Sequence, residues 1–479
     1  MADALSELAL THPELVAALA KLRASAQADP YPSYDWRRLQ LQRLLAMLRA
    51  SASDFIQAIA EDFGHRSPYD TKLGELWLCI NQLQHALGGL KGWMKPVKRG
   101  VNLPFWPASA RTQFQPLGVV GIIAPWNYPL MLAVQPLVGA LAAGNRVMLK
   151  LSEHTERTSR LLAQRLTETL GPDLVAVVLG DADVGAAFAR LPLDHLLFTG
   201  SSSVGQQVAR AAAENLVPTT LELGGKCPAI LHAGFSVERF AARVVQGKCY
   251  SAGQSCVAPD YLLVPHAATE AVVRALTARV SHCFPQQVNN PDYSGILGAT
   301  RRQRLQRLCD DAENRGARRV TINPANEDFA GSGKLPLTLL LDVPGDARVL
   351  HEEVFGPVLP VITYDTLDDA IRYVNARPSP LALYYFDSEP ARIRQVLERT
   401  LSGGVTINGT LMHFLNDDLP RGGVGQSGQG RYHGRYGFMT FSHEKAIFEQ
   451  AALSGVGLFA PPYGKHVDRV LRLLIGPWS

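Results

Sequence analysis

Cys256 stands in the stretch "YSAGQSCVAPDY" (250–261), directly after Gly253, Gln254 and Ser255. Glycine permits a tight turn or a close backbone approach, and Ser255 adds little bulk beside the thiol. Structural cysteines sit among Val, Leu and Ile as inert small hydrophobes. This setting instead suits a thiol kept accessible for nucleophilic attack. A single cysteine leaves both readings open. Glu222, in "TTLELGGKCPAI", lies between Leu221 and Leu223 and is followed by Gly224 and Gly225. A carboxylate at an apolar strand end is costly unless paired, hydrated or functional. Burial raises its pKa toward the range of a general base; a salt bridge is the competing role. In "APWNYP", Asn127 carries an amide N–H suited to a developing oxyanion, although turns also favour Asn. "LLFTGSSSVGQQVARAAAEN" reads as strand, turn and helix, with Ser201 as N-cap and Gly200 and Gly205 bracketing three serines. A helix N-terminus there can receive a phosphate. The GxGxxG spacing is absent, so a plain strand–helix turn stays open.

The surrounding pattern must position these groups. The first hundred residues read as helix, with Leu39, Leu41, Leu44, Leu45, Leu48 and Phe55 near helical spacing. From about residue 114, short β-branched runs ("PLGVVGIIAPWN", "NRVMLKLSE", "LVAVVLG", "HLLFTG") alternate with helical segments such as "SRLLAQRLTETLG". A second alternation, with "CPAILH", "DYLLVP", "LPVITYD", "LALYYFD" and "GGVTIN", runs from about 226 to 410. Strands alternating with helices predict βαβ units and parallel sheets, hence an α/β fold in two such domains. The basic segment 301–319 reads as a solvated helix face, because Leu305, Leu308 and the acids at 310, 311 and 313 interrupt it. The glycine-rich "PRGGVGQSGQGRYHGRYG" (420–437) reads as a loop that approaches another surface.

A chain of 479 residues implies two or three domains. With 47% hydrophobic and 19% charged residues it is a globular chain. The formal charge of +4, with bases scattered among acids, excludes a nucleic-acid surface. Six cysteines without CxxC spacing or a nearby His pair predict no metal site. They suit a reduced, intracellular protein, expected in the cytoplasm. The start, with Asp3, Glu7 and Glu14, is not a secretory signal. The longest apolar run (128–144) holds Pro129, Pro136, Gln135 and Gly139 and reads as a buried helix, not a membrane span.

Five separated motifs, "PWNYP", "LLFTGSSSVG", "LELGGK", "GQSC" and "EEVFGPVLP", follow the order and approximate spacing of the aldehyde dehydrogenase superfamily. The chain resembles that family over roughly residues 110–445. "RPSPLALYYFD", "SGGVTIN", "GRYHGRYGFMTFSHEKA" and the tail "FAPPYG" resemble its class 3 branch, and within it the coniferyl aldehyde dehydrogenases. The resemblance implies an aldehyde dehydrogenase-like fold with two Rossmann-like parallel-sheet domains and a small oligomerisation arm. The implied boundaries are 1–95 and 114–225 for the NAD(P)-binding domain and 226–415 for the catalytic domain. The arm takes 96–113 and 416–445, and the C-terminal tail 446–479.

By the same resemblance Cys256 is the nucleophile, Glu222 the base and Asn127 the oxyanion donor. An aldehyde substrate is oxidised to the acid through a thiohemiacetal and a thioester. The implied cofactor is NAD, with NADP possible. Lys150 and Glu153 match positions beside the adenosine ribose, although Leu151 stands where relatives often have Pro. Gly200, Ser201 and Gly205 match the pyrophosphate turn, and Trp126 lies at the cofactor cleft. Glu353 and Phe355 match the pair that positions the nicotinamide. Tyr128 and Tyr250 match positions lining the substrate funnel and suit an aromatic or long apolar aldehyde, unless they are core packing. Two alternatives remain. A coenzyme A-acylating enzyme is disfavoured by the Glu222 motif. A non-catalytic structural protein on this fold is disfavoured by the intact trio, and NADH absorbance separates it. Strand exchange in relatives implies a homodimer.

Two features stand apart. The tail "HVDRVLRLLIGPWS" has an apolar stripe at Val467, Val470, Leu471, Leu474 and Ile475, which reads as packing on its own domain or a partner subunit. Its two arginines, Arg469 and Arg472, are few for a lipid surface, so no stable membrane insertion is expected. Relatives usually read Pro-Phe-Gly-Gly where this chain has Pro420-Arg421-Gly-Gly. Arg421 is expected either to face the substrate funnel or to turn outward onto Asp417 or Asp418.

Overall fold

The computed structural model describes residues 8–454, 457 and 460–476. Asp3 and Glu7, Phe459 of "FAPPYG" and the last three residues of the tail lie outside them. Helices Pro13–Ala28, Tyr34–Ala50, Ala52–Asp62 and Trp77–Trp93 occupy most of the first hundred residues. Strands β1 (Val97–Arg99) and β2 (Ser109–Pro116) follow.

The first parallel sheet is built from β3 (Val119–Ile123), β4 (Arg146–Lys150), β5 (Val175–Val178), β6 (His195–Thr199) and β7 (Thr219–Glu222). The second takes β8 (Pro228–Leu231), β9 (Tyr261–Pro265), β10 (Arg318–Thr321), β11 (Thr338–Leu341), β12 (Val358–Tyr364), β13 (Ala382–Phe386) and β14 (Gly404–Ile407). Its order is β10-β11-β12-β9-β8-β13-β14, parallel except for the edge strand β10. The two-residue β15 (Gly428–Gln429) returns to the first sheet, giving β15-β7-β6-β3-β4-β5. It pairs antiparallel with β7, Gly428 opposite Glu222. Of the segment expected in the arm, only the part from Ser442 onward joins β2. β16 (Ser442–Glu449) completes a three-stranded antiparallel sheet in the order β1-β2-β16.

In the first sheet the chain leaves β3 toward β4 and β5, then returns to β6 on the other side of β3. That reversal is a topological switch point, where doubly wound sheets open a crevice at the carboxyl ends of their strands. Trp126 and Asn127 follow β3 and Gly200 follows β6, so both lie at this crevice. The helix Met131–Ala143, read from sequence as buried, is enclosed along its whole length, and each of its buried leucines contributes about 1.5–3 kcal/mol.

One expectation needs correction. The 301–319 segment is not helical throughout: the helix Ala299–Asn314 stops before Gly316, whose φ of +110° it cannot continue, and Arg318 and Arg319 belong to β10. Its charges pair locally, Arg315 with Asp311 at 3.0 Å and Arg319 with Asp310 at 3.2 Å. The tail forms a helix over Lys465–Ile475 in which Val467 is buried and Leu473, Leu474 and Ile475 are exposed. Among the described residues no helix is long and apolar enough to cross a membrane.

Candidate active site

The loop carrying Cys256 is held by its neighbours. Ser251 and Ala252 adopt left-handed φ of +49° and +52°, and Gly253 follows at +73°. A Cβ on Gly253 would meet the carbonyl oxygen of Gly356 at 2.6 Å, so glycine is what lets "GQSC" close on "FGP". The Ser251 N–H donates to Asp70 Oδ2 at 3.0 Å. Gln254 is tied on three sides: its Nε2 donates to the Ser251 and Gly295 carbonyls, and its Oε1 accepts from Leu297 N–H, each at 3.0 Å. The Cys227 thiol donates to the Cys256 carbonyl at 3.2 Å. With so many anchors, the loop that carries Cys256 is fixed in place, and the Cys256 side chain packs against the core.

Two clefts meet at Cys256, and it alone lines both. The first, of about 180 Å³, is mainly apolar, walled by Trp77, Tyr128, Met131, Tyr250, Leu411 and Phe414. Tyr128 and Tyr250 stack at 6.5 Å with their planes 16° apart, and the Tyr250 hydroxyl donates to the Asp70 carbonyl at 2.9 Å. The second cleft, of about 170 Å³, brings together Trp126, Asn127, Gly200, Ser201, Glu222, Glu353 and Phe355. Seven expected site residues therefore line the second cleft with the thiol, and Tyr128 and Tyr250 line the first. Arg421 lines neither.

The second cleft suits a dinucleotide. Ser201 caps the helix Ser202–Ala213, accepting from Val204 N–H at 3.4 Å, which sets a helix N-terminus at the cleft. Gly205 lies in that helix where a Cβ would meet Leu223 at 2.5 Å, so glycine brings the helix against β7. The Thr199 hydroxyl is buried at the cleft without a partner. A Cβ on Gly224 would strike Glu353 Oε2 at 2.2 Å, and Glu353 Oε1 accepts from Gly225 N–H at 3.2 Å. Phe355, at a positive φ of 54°, meets Trp126 edge-on at 5.4 Å. Further out, the Lys150 ammonium donates to the Leu151 and Gly180 carbonyls at 2.8 Å each and lies 3.5 Å from Glu153.

Burial governs the electrostatics. It pushes the Cys256 thiol up to about 12, with the Glu353 and Glu222 carboxylates adding to the rise. The resting sulfur is therefore protonated, and its attack on an electrophile needs a base. Burial likewise raises Glu222 to about 8, against a downward pull from Arg421, and Glu353 to about 8. Glu222 is not salt-bridged: its Oε1 is buried without a hydrogen-bond partner. A carboxylate that titrates close to neutrality beside a thiol can take and release protons there.

Sequence reasoning missed the device that orients Asn127. The Arg66 guanidinium donates to the Asn127 carbonyl at 2.8 Å and lies over the Tyr128 ring at 4.7 Å. It pairs with Glu75 at 3.2 Å, both side chains being fully buried. Glu75 sits in a π-helical turn and accepts from Leu130 and Met131 N–H at 2.8 and 2.9 Å. No local pattern announces Arg66; only its buried partners do. With its backbone so fixed, the Asn127 side-chain amide gives one N–H to the Gln254 carbonyl at 3.2 Å and keeps a second for another acceptor. Arg66→Met is expected to lower kcat about 10²-fold by misplacing Asn127, with a smaller change in KM. Steady-state kinetics check it, and an unchanged kcat would leave the pair a purely structural role.

The sequence profile of the Aldehyde dehydrogenase family matches residues 13–447. The chain is 48% identical to a "Probable coniferyl aldehyde dehydrogenase" of Pseudomonas aeruginosa over 461 residues, 96% of each chain. It is 42% identical to the coniferyl aldehyde dehydrogenase of Pseudomonas sp. (strain HR199) over 465 residues, again 96% of each. Among solved structures, the substrate-bound state of Staphylococcus aureus AldH superposes with a TM-score of 0.91 at 34% identity, covering 95% of this chain and 98% of that one. The chain belongs to the aldehyde dehydrogenase family.

Proposed function

We propose that this protein oxidises an aromatic or medium-chain apolar aldehyde to its carboxylic acid with Cys256 as nucleophile, Glu222 as general base and Asn127 as oxyanion donor. The observation that carries the reading is the placement of Cys256 at the junction of an apolar cleft and a second cleft that holds Asn127, Glu222 and the turn at Gly200 and Ser201. An aldehyde entering past Tyr128 and Tyr250 presents its carbonyl carbon to the sulfur. The S–C bond forms, the thiol proton passes to Glu222 and on to solvent, and the oxyanion is held by the Asn127 amide and the Cys256 N–H. Bound NAD(P) supplies the acceptor for the hydride, which leaves a thioester on Cys256. Water then attacks that carbonyl and gives its proton to Glu222; the C–S bond breaks, the departing thiolate takes that proton back and the acid departs. Hydrolysis, rather than transfer to coenzyme A, is supported by a buried carboxylate facing the thiol.

The aromatic preference rests on the stacked tyrosines, the apolar wall and the likeness to coniferyl aldehyde dehydrogenases. For the cofactor, Lys150 has its donors committed to two carbonyls and Glu153, while Glu153 is an acceptor suited to a ribose hydroxyl and repels a 2′-phosphate. NAD is therefore expected to bind tighter than NADP by about tenfold or more, a difference of about 1.4 kcal/mol. An aldehyde panel run with each cofactor tests both points. Coniferyl aldehyde and benzaldehyde should exceed short polar aldehydes in kcat/KM. Equal use of acetaldehyde, or a preference for NADP, would contradict the reading. Assembly as a homodimer through the β1-β2-β16 arm is part of the same proposal, as is a cytoplasmic location. Support for the dimer comes from β16, an edge strand whose outer backbone groups are open to pairing.

A further inference from the structure

Arg421 fits neither role expected of it. It is 2% exposed and does not turn outward, and Asp417 instead pairs with His433 at 2.7 Å. Nor does it open into the apolar cleft. Phe414 lines that cleft, and the Arg421 guanidinium lies behind it, 4.0 Å from the centroid of the ring. Phe414 belongs to the four-residue helix Met412–Leu415, which the chain enters through Leu411 at a left-handed φ of +68°. Leu411, Met412, Phe414 and Leu415 form one stretch of the cleft wall. On its other side, Arg421 Nη1 donates to Gln135 Oε1, and Gln135 Nε2 donates to the Leu78 carbonyl at 3.3 Å. Leu78 lines the same cleft. One run of contacts therefore leads from the Phe414 ring, through the guanidinium and the Gln135 amide, to the main chain of a second stretch of wall. Arg421 is anchored at its own main chain, which exchanges bonds with Tyr432 at 2.9 and 2.8 Å. Only glycine fits the fold-back that brings these two together, since a Cβ on Gly422 would meet the Gly430 carbonyl oxygen at 2.4 Å.

We propose that Arg421 is a positioning residue for substrate specificity: stacked behind Phe414 and tethered to Gln135, it holds the Phe414 ring in one orientation and keeps the cleft shaped for the flat ring of an aromatic aldehyde. This deepens the proposed function and rests on its reading of the apolar cleft as the aldehyde's site. A helix of four residues closes too few internal hydrogen bonds to be rigid on its own, so the orientation of a ring on it is set by what packs behind. A guanidinium suits that place. It is planar, it stacks on an aromatic face, and the attraction is strongest where water is excluded. The same burial makes an unanchored guanidinium costly, and the Gln135 amide oxygen and the Tyr432 side chain beside it offset that cost. Because the Gln135 nitrogen is committed to Leu78, its oxygen faces Arg421, and the tether has one direction. A flexible chain such as hexanal can adjust to a wall that moves. A rigid aryl ring cannot, and it loses affinity when the wall is loose.

The experiment compares kcat and KM for benzaldehyde, coniferyl aldehyde and hexanal at saturating NAD in the full-length protein. In Arg421→Met, kcat/KM for the two aromatic aldehydes is expected to fall about tenfold, chiefly through KM, and for hexanal about twofold. The aromatic-to-hexanal ratio then drops about fivefold. Arg421→Lys, which keeps a cation over the ring, should recover part of the ratio. In a Phe414→Leu background, adding Arg421→Met should leave the ratio where it is, because the residue acts through the ring. An unchanged ratio in Arg421→Met, an equal loss for all three aldehydes, or the same drop without the Phe414 ring would overturn the role of Arg421. If Arg421→Met is insoluble, Gln135→Met removes the tether alone and is expected to lower the same ratio; a ratio that stays at wild type there would overturn the role equally. Should Phe414→Leu leave every KM at its wild-type value, the apolar cleft is not the aldehyde's site, and the proposed function fails instead.

Discussion

Cys256→Ala is expected to lose aldehyde oxidation by about 10⁴-fold or more, while the protein folds and binds NAD as before. In the proposed mechanism every covalent step passes through this sulfur, and the other cysteines are poorly placed to replace it: Cys79, Cys227, Cys249 and Cys309 are buried. Cys283, partly exposed, ends the helix Thr269–Cys283 and lines neither cleft. The substitution removes one sulfur from a loop held by Gln254 and the Asp70 carboxylate, so the fold should tolerate it. NADH formation measures the loss, and fluorescence titration with NAD measures binding. Turnover within tenfold of wild type would rule out the thioester route.

Glu222→Gln should separate the two halves of the reaction. The thioester still forms, but its hydrolysis slows by about 10²–10⁴-fold because the attacking water has no base. Single-turnover experiments should show a burst of NADH followed by a slow steady rate, with the acyl-enzyme visible by mass spectrometry. The wild type should also show a pH signature. Since burial lifts Glu222 to about 8, the unprotonated base is scarce at lower pH, so the hydrolytic rate should rise with pH and level off above about 8. A rate that falls over that interval, or a variant that releases acid at the wild-type rate, would remove Glu222 from the mechanism.

Much of the architecture was legible in local pattern. The strands containing Gly121, Leu149, Val177 and Leu197 are short apolar runs in an α/β rhythm, and the βα turn at Ser201 carries its own capping residue. Such signals depend on neighbours a few residues away, which a sequence displays directly. The edge strand β10 was not legible, because its arginines read as more of the preceding basic helix. Nor was β15, whose two residues form a strand only because β7 lies beside them.

For the site, sequence alone determined which residue types stand in which motifs, and the likeness built on them named Cys256, Glu222 and Asn127. Tertiary structure decided what surrounds them. Arg66 and Glu75 reach Asn127 across long separations in the chain, and no periodicity encodes that meeting. Arg421 could be read as a substrate-facing or a surface charge, because the sequence around it is polar and glycine-rich. Its burial follows from Gln135, Phe414 and Tyr432, three residues from separate elements, converging on one guanidinium. Burial and field are properties of packing between distant segments, and they alone set how a buried charge acts on its neighbour.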